Sequence, residues 1–130
     1  MVVKVSRTRV DFGDLPVSAT EMKDYSETVN ALGNATGATT IDYTLGSVIT
    51  ATTTGATTWS VTNPPATGKA GSFTLVLTNG GSQTQTWMSG TKWPAATAPT
   101  LTSSGVDVIT FFTTDGGTTW RGVLAMLNSS

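Results

Sequence analysis

Threonine is the residue that most limits what this chain can fold into. The 130 residues include 28 threonines and 12 serines, against only 15 charged residues. A β-branched side chain is stiff about its first torsion and fits a pleated strand better than a helix. Many of these threonines alternate with apolar residues, as in 57–61, and a period of two is typical of a strand with one buried face. The pattern therefore predicts an all-β fold.

The predicted strands are short and evenly spaced. Phe73, Leu75 and Leu77 form the clearest single-face stripe, and residues 108–112 are apolar on both faces except at Thr110, as expected of a central strand. The other segments with strand character are 2–5, 41–45, 48–54, 57–61, 84–87 and 120–127. About eight strands of this kind, each bounded by turn residues, predict an antiparallel β-sandwich or a jelly-roll-like fold with an N-terminal arm.

Two glycine pairs mark turns between these strands. Residues 79–81 are Asn-Gly-Gly and residues 115–117 are Asp-Gly-Gly. Asn-Gly and Asp-Gly are favoured in tight hairpins because both central residues take positive φ. We therefore predict a hairpin at each position. The two segments also resemble each other, which fits either a weak internal repeat or two hairpins that solve the same turn problem.

The charged residues are concentrated near the N-terminus. Residues 1–27 hold nine of the 15, and the other 103 residues hold six. This contrast divides the chain into a charged arm, residues 1–33, and a nearly neutral β-sandwich or jelly-roll-like body, residues 34–130. Within the arm, Ser18 and Glu21 have the spacing of a capping box that would begin a short helix over about 19–31. The frequent Thr, Ser and Asn residues fit an extended arm equally well.

The absence of cysteine and histidine narrows the possible chemistry. It removes disulfides, thiol nucleophiles and zinc–thiolate sites, together with the commonest general base and metal ligand. Asp42, Asp107 and Asp115 are the only carboxylates of the body, and nothing in their spacing pairs two of them for glycoside hydrolysis. The Asp115 turn is too short for a calcium loop. We predict a protein that is not an enzyme, with no catalytic residue, no cofactor and no metal site.

The expected partners are proteins. A net charge of −1 and the lack of an apolar stretch of about 20 residues argue against nucleic acid and membrane. Lys4, Arg7 and Arg9 are candidate contacts with an acidic protein surface, because complementary charges set orientation. Trp93 is the fourth candidate, since it lies in a turn-rich loop at 92–94 and can either form a surface contact or plug one end of a sandwich.

Several ordered segments of the body carry a resemblance to a known family. They are GSFTLVLTNGG at 71–81, QTWMSGTKWP at 85–94, APTLT at 98–102, GVDVITF at 105–111 and DGGTTW at 115–120, with GATTID at 37–42 and TNPP at 62–65 upstream. Together they resemble a β-rich module of tailed-bacteriophage virion proteins, found in tail fibres and other surface-exposed structural subunits. The resemblance covers roughly residues 28–127. It implies a structural role in the virion and homotrimerisation, with no catalytic residues.

The chain departs from a tail fibre in its length. Fibres are usually long, whereas no heptads or long repeats that could build a shaft follow this short arm. The expected function is therefore a capsid decoration (cement) protein in the virion, assembled in the host bacterial cytoplasm. It would bind the major capsid protein or other virion proteins as a homo-oligomer, with a trimer as the expected state. The alternative is a tail-fibre or baseplate component that recognises a host-surface polysaccharide, with a glycan receptor as its partner.

Overall fold

Strands dominate the computed structural model, which describes residues 4–5, 10–12 and 15–130. Short 3-10 turns at Tyr43–Leu45, Gly80–Ser82 and Pro94–Ala96 join some of the strands. The nine strands of the described residues are β1 (Lys4–Val5), β2 (Val10–Asp11), β3 (Val29–Asp42), β4 (Val48–Thr62), β5 (Gly71–Thr78), β6 (Gln85–Thr86), β7 (Thr91–Lys92), β8 (Val106–Thr113) and β9 (Trp120–Met126). The predicted all-β fold is confirmed.

The described N-terminal residues contain two short strands and no helix. β1 and β2 form a small antiparallel ladder that is separate from the main sheet. Residues 15–28 contain neither strand nor helix, so the helix considered for 19–31 does not form, and β3 begins at Val29 inside the predicted arm. In the part of the chain that the structure describes, no helix has the length and apolar character needed to cross a membrane.

The main sheet has seven strands in the order β3-β4-β5-β8-β9-β7, with β6 also paired to β4. β5 and β9 each pair with β8 in antiparallel fashion. The pairs β3–β4, β4–β5, β4–β6 and β7–β9 are parallel. The expectation of a purely antiparallel sheet is therefore wrong. An alternating pattern specifies which face of a strand is buried, but it carries no information about the direction of the neighbouring strand.

The parallel pairing of β3 and β4 requires both strands to bend. Only five residues, 43–47, connect them, whereas a parallel pair usually needs a connection of about a dozen residues. A straight strand of the length of β3, 14 residues, would be about 46 Å long, and five residues span about 20 Å at most. The bend lies at the register shift between Ala35 and Gly37, opposite Thr53 and Thr57.

The bent strands divide the body into two layers. The first layer contains the first halves of β3 and β4 with β5, β8, β9 and β7, and the second layer contains the second halves of β3 and β4 with β6. Glycine allows the corner, because Gly37 has a φ of 61° and a Cβ at Gly55 would collide with the Thr36 side chain. The segments predicted as two strands, 48–54 and 57–61, are therefore the two halves of β4.

Two local predictions are wrong for related reasons. Residues 43–45 turn away from the sheet instead of continuing a strand, because the Asp42 carboxylate caps them by accepting a hydrogen bond from Thr44 N at 3.0 Å. The turn at 79–81 is not a hairpin. After it the chain crosses to the second layer, where β6 pairs with β4, while β5 pairs with β8.

The hairpin predicted at 115–117 is confirmed, since it joins the antiparallel strands β8 and β9. Gly116 and Gly117 have φ values of 70° and 80°, which a side chain would disfavour. Asp115 organises the turn by accepting hydrogen bonds from Thr119 N and Thr113 Oγ1, both at 2.9 Å. The bonds from Thr119, then that from Thr113 and the charge of Arg121, hold the pKa of the Asp115 carboxyl below its ordinary value.

The core lies between the two layers. Phe111 of β8 contacts Trp87, which follows β6, and Trp87 stacks on Trp59 in the second half of β4. The predicted stripe of Phe73, Leu75 and Leu77 is fully buried. The core therefore follows the alternation of the sequence, with each strand burying one face.

Candidate interaction surface

Trp93 lies at the rim of the core, half-buried, directly after β7. A Cβ at Gly122 would lie only 2.6 Å from Cζ3 of Trp93 and 2.8 Å from Cε1 of Phe111. The missing side chain at 122 therefore forms the slot that receives the indole ring. The following turn fixes the backbone of Trp93, whose carbonyl accepts a hydrogen bond from Ala96 N at 3.0 Å.

An aromatic cluster supports the indole from behind. The ring of Trp93 meets Trp87 at 5.3 Å and Phe111 at 5.5 Å, both edge-to-face. Trp87 in turn stacks on Trp59, with centroids 6.2 Å apart. Edge-to-face and stacked pairs at these distances add about 0.5–1.5 kcal/mol each beyond the area that they bury. Trp93 thus packs against the core with one side and borders an outward-facing groove with the other.

Filling the slot is expected to displace Trp93. In Gly122→Ala the new methyl group overlaps the indole, so we expect a loss of about 1–3 kcal/mol in the free energy of unfolding, together with greater quenching of tryptophan fluorescence by iodide. Ala125→Val, an added-volume change at an exposed site of the same strand, serves as the control. Trp93→Phe, alone and combined with Gly122→Ala, identifies the part of the quenching that comes from Trp93. If Gly122→Ala did not increase that part, the slot would be contradicted.

Two cationic side chains flank the groove beside Trp93. Lys92 and Arg121 are Cα partners in the β7–β9 ladder, and both side chains are exposed. Partner residues on neighbouring strands project to the same side of a sheet, so the two charges lie next to each other. The guanidinium of Arg121 also sits 5.9 Å from the ring centroid of Phe112. With Trp93, Pro94 and Gly122 they line a groove of about 280 Å³, which we call the cationic groove.

The carboxylates of the body are occupied by uncharged donors. Asp42 accepts hydrogen bonds from Thr44 and Asn63, and the bond from Asn63 is the main cause that lowers the pKa of this carboxyl. Asp107 accepts hydrogen bonds from the backbone N–H groups of Thr102 and Asn128. Asp115 is held by its own turn, as described above. Hydroxyl and amide donors, and not Lys92 or Arg121, therefore provide the hydrogen bonds to these acids.

The outer face of the first layer is uncharged across five strands. The first row of Cα partners is Val29, Val48, Thr74, Thr110 and Val123, and the second is Ala31, Thr50, Val76, Val108 and Met126. All ten are exposed or half-exposed. We call these two rows the outer face. An uncharged surface of Val, Thr and Met is unusual for a solvated β-sheet, whose exposed face is normally polar.

The arm presents further apolar side chains to solvent. Every residue from 15 to 29 is exposed. Met22 is 63% exposed and Tyr25 is 68% exposed, beside Glu21 and Asp24. The arm joins the body where Ser47 Oγ donates a hydrogen bond to Glu27 Oε1 at 2.9 Å. Residues 15–26 thus form a free segment that combines acidic and large apolar side chains.

Two of the four predicted contact residues, Lys4 and Trp93, lie in the described part of the chain. The backbone of Lys4 lies in β1, opposite Asp11, and Arg7 and Arg9 fall outside the described residues. Trp93 borders the cationic groove, where sequence reasoning missed Arg121 and Gly122. No pattern in the sequence links position 92 to position 121, because their proximity depends on the parallel β7–β9 pairing.

The described residues contain no cluster of metal-ligating side chains. No group of three or more acidic, histidine or cysteine side chains lies close enough to hold a metal ion within residues 4–5, 10–12 and 15–130. A groove of about 560 Å³ beside Trp59, Trp87 and Trp120 has no ionisable side chain in its lining, so its walls supply no general acid or base.

Comparisons with known proteins leave the family open. No family model matches the chain, and neither curated proteins nor solved structures include a significant match.

Proposed function

We propose that this chain is a structural subunit of a tailed-bacteriophage virion, which binds the outside of the capsid shell as an oligomer and stabilises it. The class of particle is inferred from the resemblance described above. The attachment role is supported by the exposed segment 15–29, which presents Leu15, Val17, Met22, Tyr25 and Val29 to solvent. This segment is the single observation that carries the proposal.

Exposed apolar side chains on an extended segment indicate a binding role. The five apolar residues gain little within the isolated chain, since each is between 48% and 68% exposed. Burying one such side chain in an interface would contribute about 1.5–3 kcal/mol. An extended segment can also follow the contour of a large surface, such as the junction between shell subunits.

The body supports the same role through its surface. The outer face carries no charge in its two rows, although a soluble monomer normally has about 25–35% charged residues on its surface. Contact with other copies or with a shell would remove this face from water and cover the free edge of β3, which otherwise invites unwanted pairing.

The proposal is tested on purified particles. Heads that carry the protein should release their DNA at a higher temperature than heads that lack it, and labelled antibody should mark the shell. In the variant Leu15→Asp/Val17→Asp the protein should be lost from the heads, because two new charges replace apolar contacts of exposed side chains. The control Ala66→Asp/Gln83→Asp adds the same charge at exposed positions outside the arm and should stay bound. Equal release temperatures, with no protein on the heads, would refute the proposal.

A tail location is the second candidate. The half-buried indole of Trp93 beside Lys92 and Arg121 forms a groove that suits an acidic sugar, because aromatic faces stack on sugar rings and cations pair with carboxylates. Antibody labelling of the tail, together with retention of host polysaccharide by the purified protein, would favour this candidate over the decoration role.

A further inference from the structure

We propose that the acidic segment of the arm, around Glu21–Tyr25, docks into the cationic groove of a second copy of this chain. This inference rests on the proposed function in one respect, since it identifies the contact that builds the expected oligomer. It gives a partner to two surfaces that are exposed in the isolated chain, the groove beside Trp93 and the arm segment.

Among the described residues, no acidic side chain lines the cationic groove. Like charges directly opposite each other on neighbouring strands destabilise a sheet, and Lys92 faces Arg121 in this way. The acids of the body are bound to threonine, asparagine and backbone donors. Of these acids, Asp115 interacts with the charge of Arg121, but this charge is the smallest of the causes that lower the pKa of the Asp115 carboxyl. An acidic partner would therefore relieve the repulsion between the two cations.

The arm supplies the complementary chemistry. Residues 11–27 contain five acidic side chains and one lysine, a net charge of −4, whereas residues 28–130 contain three acidic and three basic side chains. Glu21 and Asp24 lie at most about 10 Å apart along the chain. Asp24 has a φ of 56°, which breaks the alternation of a regular strand, so both carboxylates can face the long Lys92 and Arg121 side chains. Met22 lies between the two acids in the sequence and Tyr25 follows them. Both side chains are exposed and can pack on the exposed side of Trp93.

A second copy, and not the same chain, is the inferred occupant. In the isolated chain every residue from 15 to 29 is exposed, so this segment does not lie in the groove of its own chain. An arm-to-groove contact between copies joins two different surfaces, and such a contact closes into a ring when the rotation fits. A trimer built in this way uses each arm and each groove once.

Charge reversal on each side tests the contact in solution. Lys92→Glu/Arg121→Glu and, separately, Glu21→Lys/Asp24→Lys are each expected to weaken self-association about tenfold or more, measured by light scattering and sedimentation over a range of concentrations. The four-residue combination should restore association, because the charges are exchanged. Lys69→Glu, an exposed lysine of the body that does not line the groove, is the control and should associate like the unmodified chain.

Mixing separates a contact between copies from a contact within one chain. The arm-reversed chain keeps an intact groove and the groove-reversed chain keeps an intact arm, so an equimolar mixture should form mixed oligomers although neither variant associates alone. A monomer at all concentrations, or a failure of the combined variant to associate, would overturn the proposal. The proposal would also be overturned if an acidic oligosaccharide, with hyaluronate as the probe, bound through Lys92 and Arg121 while both reversed variants still associated.

The two proposals fail in different ways. If the protein were monomeric and still coated and stabilised heads, the arm-to-groove proposal would be wrong and the decoration role would stand. An oligomer that forms through this contact but is absent from heads would do the reverse.

Discussion

Replacing Asp107 with alanine is expected to lower the free energy of unfolding by about 3–5 kcal/mol, because each buried polar group left without a partner costs about 1–3 kcal/mol. Asp107 has no exposed surface. Its carboxyl group accepts hydrogen bonds from Thr102 N at 2.6 Å, Thr102 Oγ1 at 2.7 Å and Asn128 N at 2.9 Å. Alanine would leave two backbone N–H groups, those of Thr102 and Asn128, without the acceptor that they have in the folded chain. Urea denaturation measures the change.

Two variants control for other effects of this substitution. Asp107→Asn keeps the shape and one acceptor oxygen, so we expect a smaller loss than for alanine. Asp42→Ala removes a carboxylate that also caps a turn but is only partly buried, and its loss should be the smallest of the three. If Asp107→Ala were no worse than Asp42→Ala, the buried hydrogen bonds would not stabilise the fold as described.

Replacing Phe111 with alanine is expected to lower the free energy of unfolding by about 3–5 kcal/mol, as for other fully buried phenylalanines. Phe111 has no exposed surface and contacts Phe73, Trp87 and Trp93 at centroid distances of 5.1, 5.5 and 5.5 Å. Its removal would leave a cavity beneath the indole of Trp93. We expect the near-ultraviolet circular dichroism of the aromatic cluster to weaken together with stability.

The neighbouring residue provides a matched control. Phe112 has the same side chain, lies in the same strand and is 44% exposed on the opposite side of the sheet. Phe112→Ala should cost less than about 1 kcal/mol, in line with surface substitutions. Similar losses for the two variants would mean that the two sides of β8 are buried to the same extent, contrary to the layer arrangement.

The sequence was sufficient where a local pattern specifies a local structure. Phe73, Leu75 and Leu77 alternate with polar residues, and all three are buried. The Asp-Gly-Gly turn at 115–117 joins two antiparallel strands because two adjacent glycines accept the positive φ that the turn requires. In both cases the relevant interactions lie within about ten residues of the chain.

β3 could not be predicted in this way. Its sequence contains Gly33, Asn34 and Gly37, which are poor strand formers. Two register shifts also interrupt its alternation, and the half-buried Leu32 and the buried Ala35 lie three residues apart, which does not fit a period of two. The strand exists because its backbone pairs along the length of β4, an interaction that no window of the sequence contains.

The candidate surface was predictable only in part. Trp93 stood out because of its loop, but the slot that receives it is made by Gly122, and the adjacent charge is that of Arg121. Both come from β9, on the far side of the hairpin at 115–117. Arg7 and Arg9 remain candidate contacts from the sequence alone.

The path of residues 85–92 affects the order in which the strands can pair during synthesis. One end of the segment pairs with β4, which precedes it in the chain, and the other pairs with β9, which follows it. During synthesis β6 can therefore dock as soon as it leaves the ribosome, while β7 waits for β8 and β9. Until then the slot for Trp93 does not exist, and the cluster of Trp59, Trp87 and Trp93 lacks the cover that β8 and β9 provide. The indole can close onto Gly122 only after β9 has been made, so we expect a nascent chain stalled before residue 120 to expose this cluster and to aggregate readily.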